Sequence, residues 1–129
     1  MGNIIPPYTN ELATSDDFCP FTVIDSNDDN NNTWGWQESG CAFIGFNWQN
    51  DMDDWLMSAP VKLEAGKAYR LAFDARGESE YYKDHFEVKM GDQCNVSAMT
   101  TELIGVTELT DATYRTYYAL ITPETTGIY

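Results

Sequence analysis

The stretch Ala68-Tyr69-Arg70-Leu71-Ala72-Phe73-Asp74-Ala75-Arg76 decides the fold class. Tyr69, Leu71, Phe73 and Ala75 alternate with Ala68, Arg70, Ala72, Asp74 and Arg76, and period-two alternation marks a strand with one face on a core and the other in water. Phe86, Val88 and Met90 repeat the pattern against His85, Glu87 and Lys89. Outward from these two segments, strands are predicted over 22–24, 34–37, 42–46, 55–57, 103–109 and 114–121. Turn chemistry separates them at Glu64-Ala65-Gly66-Lys67, Gly91-Asp92, Thr110-Asp111 and 123–127. Val96-Ser97-Ala98-Met99 is the one stretch with helical character, a single turn. Strands at roughly 8–12-residue spacing without intervening helices predict an all-β chain, an antiparallel sandwich or barrel.

A chain of 129 residues suits one domain, here residues 1–129, that buries roughly two-thirds of its unfolded surface. Aromatic residues make up 14% of it, too many for a disordered acidic tail. The net charge of −14 argues against nucleic acid, whose binding depends on Lys and Arg neutralising phosphates, and against an anionic membrane surface. No apolar run approaches the ~20 residues of a spanning helix, so direct membrane insertion is not expected. Cys19, Cys41 and Cys94 fit no zinc signature and allow at most one internal disulfide. After the turn at 123–127, Ile128-Tyr129 looks like the start of a further strand. It is expected as the hairpin partner of the 114–121 strand, which would otherwise expose an edge, so either further C-terminal sequence completes it or that edge is covered by pairing with another chain or a symmetric copy.

Charge is unevenly placed. Residues 1–61 carry ten carboxylates and no Lys or Arg, whereas residues 62–129 carry eleven carboxylates and all seven cations. The first half must spread this charge over solvated loops or neutralise it with a bound cation. Within it, Asp25-Ser26-Asn27-Asp28-Asp29-Asn30-Asn31 places side-chain oxygens at alternate positions of a tight loop. Calcium, a hard cation taking six to eight oxygens, suits such a donor set. Asp25, Asn27 and Asp29 are the candidate ligands, completed by Glu11 and by the cluster containing Asp53 and Asp54. Turn propensity of Asn and Asp explains the same composition without a metal. An EF-hand is rejected, because position 6 is Asn30, position 12 is Trp36, and no helices flank the loop.

The chain also resembles a known family. The carrying motifs are Ile24-Asp25-Ser26-Asn27-Asp28-Asp29, Trp34, Asp53-Asp54-Trp55-Leu56-Met57-Ser58-Ala59-Pro60, Leu63-Glu64-Ala65-Gly66-Lys67-Ala68-Tyr69 and Phe73-Asp74-Ala75-Arg76. In this order they are similar to the cleaved-adhesin domains of gingipain haemagglutinin/adhesin regions and of choice-of-anchor J surface proteins. Asn27 stands where that family has Asp, and Asn30 where it has Gly. The resemblance implies a jelly-roll β-sandwich, secretion or cell-surface display by a bacterium, calcium in the acidic loops, and an adhesive, non-catalytic role toward a host or matrix protein or a glycan.

Catalysis finds little support in the residues. The sole imidazole, His85, lies by alternation on the wet face of its strand, and no carboxylate is marked as desolvated for acid–base work. Aromatic rings beside amides and carboxylates suit sugar stacking. Trp48 in its polar loop and the adjacent Tyr81 and Tyr82 are the better candidates for exposed contact, with Trp34 and Trp36, which flank Gly35, as further ligand candidates. Large aromatics more often fill a core, and Trp55 is assigned there. A carbohydrate-binding module appended to a secreted hydrolase is the alternative function.

Overall fold

A computed structural model describes residues 3–25, 33–44, 54–77, 84–109 and 112–129, Asp25 through its backbone alone. The chain divides into two compact units, Met1–Lys62 and Leu63–Tyr129. The division falls at Lys62, the first cation of the sequence, so the unbalanced carboxylates lie in the first unit.

In the first unit, strand β1 (Thr22–Asp25) pairs antiparallel with β4 (Asp54–Met57) in the register Thr22↔Met57, Val23↔Leu56, Ile24↔Trp55 and Asp25↔Asp54. Between them in sequence, β2 (Gly35–Gln37) and β3 (Cys41–Phe43) form a hairpin. Its turn contains Gly40 at φ 86°, a left-handed conformation that a side chain would strain. The predicted strand over 42–46 is therefore shifted, with residues 45–46 outside the described set, and Trp34 precedes β2 rather than opening it. Ile4 bridges Val61, its N–H donating to the Pro60 carbonyl at 2.7 Å.

Helix α1 (Ser15–Phe18) corrects the expectation that only 96–99 is helical. It starts after Thr14, and Asp17 Oδ2 accepts from the backbone N–H groups of Ala13 and Thr14 at 3.0 and 3.3 Å. A carboxylate at the third helical position thus reaches back to the N–H groups of the capping residue and the one before it.

The second unit repeats the nested pairing. Strand β6 (Tyr69–Ala75) pairs antiparallel with β9 (Arg115–Ile121) and encloses in sequence the hairpin of β7 (Asp84–Met90) and β8 (Thr101–Leu109). Residues 96–98 form the expected single turn, a 3₁₀ helix capped by Asn95 Oδ1, which accepts from Ala98 N–H at 2.8 Å. Burial along β6 alternates as predicted, with Tyr69, Leu71, Phe73 and Ala75 half-buried and the residues between them exposed. Phe73, Tyr117 and Phe86 join the inner faces of the two ladders. Phe86 meets both other rings edge-on, with centroids 5.7 Å from Phe73 and 5.0 Å from Tyr117. Such geometry matches the positive edge of one ring to the negative face of the next.

Two short strands were not separately foreseen as a pair. Strand β5 (Lys62–Leu63), at the division between the units, is hydrogen-bonded to β10 (Gly127–Ile128). Gly66 at φ 76° turns the chain after it, and the Gly66 N–H donates to the Pro123 carbonyl at 2.9 Å. The most buried apolar side chains are Met57, Ala59, Leu63 and Ala119. Among the described residues the fold is all-β with one short helix and one 3₁₀ turn, and the paired strands do not close into a barrel.

Candidate functional site

The end of the β1–β4 ladder gathers the described part of the predicted acidic site. Asp25, the last residue of β1, stands at the register position opposite Asp54, the first of β4. Opposed residues on an antiparallel ladder are about 4.5–5.5 Å apart at Cβ, and like charges there are destabilising. Both carboxylate oxygens of Asp54 are screened from solvent, as is Thr33 Oγ1, which has no hydrogen-bond partner among the described residues. Trp34 Nε1 donates to the Asp54 carbonyl in a long hydrogen bond of 3.4 Å. Thr33 and Trp34 follow the Asp/Asn-rich segment directly, so this bond holds the exit of that segment against the start of β4.

These oxygens are hard donors of the kind calcium takes. Asn27, Asp29 and Asp53 lie outside the described residues, and among those described no group of three His, Cys, Asp or Glu gathers around a common point. Glu11 is exposed and lines a shallow groove with Tyr8, Thr9, Asn10, Ala13 and Asp17. Hydrogen bonds join the lining residues to the main chain. Asn10 Nδ2 donates to the Asp17 carbonyl at 2.8 Å, and Asn10 Oδ1 accepts from Leu12 N–H at 2.9 Å. The second bond closes an Asx turn in which Leu12 sits at φ 53°.

Of the aromatic candidates, Trp48, Tyr81 and Tyr82 lie outside the described residues. Trp34 and Trp36 are half-buried and commit their indole N–H groups to the main chain, Trp36 Nε1 donating to the Leu12 carbonyl at 2.7 Å. Both act as struts within the first unit. Trp55 is half-buried opposite Ile24. His85 is exposed, as the alternation predicts, and its Nε2 is 3.3 Å from Glu108 Oε2 on the neighbouring strand. Among the described residues no disulfide joins Cys19, Cys41 and Cys94.

The residue-level reading missed two features. Thr33 attracts no notice in the sequence because a single hydroxyl after an Asn run has no pattern of its own. The sequence marks the outward face of β6 as the wet side of a strand and assigns no face to β9, which lies beside it. Their shared outward face carries Tyr118, Leu120 and, just before β9, Tyr114, which are 61%, 73% and 53% exposed.

No protein-family model, no curated protein and no solved structure matches this chain. Among the described residues no helix is long and apolar enough to cross a membrane.

Proposed function

We propose that this chain is a non-catalytic binding module of adhesin type, a jelly-roll β-sandwich stiffened by calcium, which acts outside the cell or on its surface and recognises a protein or a glycan. The observation that carries the reading is the pairing of Asp25 with Asp54 beside the solvent-screened oxygens of Asp54 and Thr33. Removing a carboxylate from water next to a like charge is unfavourable, and a hard divalent cation offsets both terms. Asp25, Asn27, Asp29, Asp53 and Asp54 would hold the ion, with Glu11 as the more distant candidate in sequence. The metal supplies cross-linking of the acidic segments and no chemistry.

The nested pairing, in which an outer antiparallel pair encloses a hairpin in each unit, supports a wound β architecture of the jelly-roll kind. The resemblance to cleaved-adhesin domains supports the adhesive role and the extracellular setting.

The test is thermal unfolding of the chain in chelator and in millimolar calcium. Selective binding to the folded state at 100-fold Kd contributes about 2.7 kcal/mol, so the midpoint should rise by several degrees with calcium and fall back with chelator. An unchanged midpoint removes the metal from the account.

A further inference from the structure

The strongest feature outside the acidic end is the outward face of the β6–β9 ladder. Its register sets Arg70 opposite Leu120, Ala72 opposite Tyr118 and Asp74 opposite Thr116, and all six residues are exposed. Arg76 and Tyr114 continue the same face one step beyond the ladder. The Arg70 guanidinium lies over the Tyr118 ring, 5.0 Å from its centroid, and that of Arg76 lies over Tyr114 at 5.2 Å. Among the described residues neither guanidinium is ion-paired. In a chain of net charge −14 with seven cations, two of them are held here against tyrosine rings.

A guanidinium stacked on an aromatic ring has its plane fixed while its N–H edge stays open, the arrangement suited to bidentate recognition of a carboxylate or sulfate. The two stacked arginines are six residues apart along one strand direction, roughly 20 Å at the rise of a β-strand. Between them lie the rim of the Tyr118 ring, Thr116 and Asp74, whose Oδ1 accepts from Thr116 Oγ1 at 2.6 Å. Asp74 retains a second oxygen that can accept from a hydroxyl. We propose that this face binds an anionic polysaccharide, with Arg70 and Arg76 engaging acidic groups on an extended sugar chain and Asp74 accepting from a sugar hydroxyl between them. The combination of anion receptors and a hydroxyl acceptor favours an acidic glycan over an acidic peptide, and charge complementarity is local. At about 0.15 M salt the distant carboxylates of the chain are screened over about 8 Å.

This inference rests on the reading of the chain as a binding module and names its partner class. The experiment is a calorimetric titration at ~0.15 M salt with oligogalacturonate, heparin oligosaccharide, neutral dextran oligomer and poly-glutamate. It is run in chelator, so that calcium cannot bridge the probe to the protein's own carboxylates. Binding of oligogalacturonate or heparin without dextran binding is expected, the two acidic probes separating carboxylate from sulfate as the group recognised. Arg70→Ala and Arg76→Ala should each weaken it about tenfold, the scale of one charge-assisted hydrogen-bonded contact, and Arg→Lys should not restore it. Unchanged melting of these exposed variants shows that the fold is retained. No binding of either acidic glycan, equal binding of poly-glutamate, or affinity indifferent to both substitutions overturns the proposal. Because the titration excludes calcium, and a melting transition recorded in the same chelator buffer shows that the chain is folded there, its outcome is distinguishable from failure of the calcium brace.

Discussion

Asp25 and Asp54 face each other across the β1–β4 ladder, at the point where both strands run into the acidic segments of the first unit. Like charges at opposed register positions disfavour the pairing that brings them together, so the ladder's stability depends on what compensates them. Asp54→Asn removes one charge while keeping the shape. In chelator it should stabilise the chain by up to about 1 kcal/mol, the range of a cross-strand pair. In calcium it should instead be less stable than the parent, having lost a ligand. Urea unfolding under the two conditions measures this reversal of sign, and stabilisation by the same amount in both would separate Asp54 from any metal.

Phe86 is the hinge of the aromatic contact between the two ladders of the second unit. Truncation to Ala deletes both edge-on contacts and leaves a gap between the inner faces, and for a half-buried ring the loss should be about 2–3 kcal/mol. A double-mutant cycle of Phe86→Ala with Tyr117→Ala should return a coupling of about 1 kcal/mol. Chemical denaturation of the four proteins gives both values.

Trp36 fixes β2 to the Asx turn at residues 10–12 through its indole N–H. Trp36→Phe keeps most of the apolar body and leaves the Leu12 carbonyl without that donor. A loss of about 1–2 kcal/mol is expected, within the range for stranding one partner of a partly buried hydrogen bond. The same variant should lose little activity in any binding assay, since the indole points into the protein rather than toward a ligand.

Two glycines should respond in opposite ways. A Cβ on Gly91 would overlap the backbone carbonyl of Ala98, which the 3₁₀ turn holds in place. Gly91→Ala should therefore destabilise by about 2 kcal/mol or more. At Gly35 a Cβ meets nothing within 4 Å and the backbone is not left-handed, so Gly35→Ala should be neutral or stabilising by about 0.5 kcal/mol. Thermal midpoints of the two variants make the comparison directly.

Periodicity revealed faces and hid partners. The alternation from Tyr69 to Ala75 is readable because that strand has one half-buried side, which a period of two reports, whereas from Phe86 to Met90 it breaks at Lys89, half-buried beside register shifts in the β7–β8 ladder. It carries no information on which strand lies alongside, so the pairing of β6 with β9 around the β7–β8 hairpin became visible only in the structure. The same blindness hid the Asp25–Asp54 opposition, although both residues had been picked out for their charge. Helix α1 escaped because four residues are too few to show a 3.6-residue period, leaving Asp17 after Thr14 as its sole signal. Leu12 at positive φ could not be anticipated, since Leu has no preference for that region, although its N–H is held by Asn10 Oδ1. Tyr114 and Tyr118 lie in a segment, 114–121, whose strand character is legible but whose outward face is not. Their role with Arg70 and Arg76 depends on the cross-strand register, which the sequence does not display.

The most direct measurement of the calcium brace is calorimetric titration of calcium into the metal-stripped chain, with Asp54→Asn alongside. A single saturable event with a Kd of about 0.1–1 mM, the range of extracellular calcium modules, is expected for the parent and should vanish in the variant. Heat no greater than dilution across the whole titration, or an event that persists unchanged in Asp54→Asn, would contradict the claim that the paired acids of the first unit hold a cation.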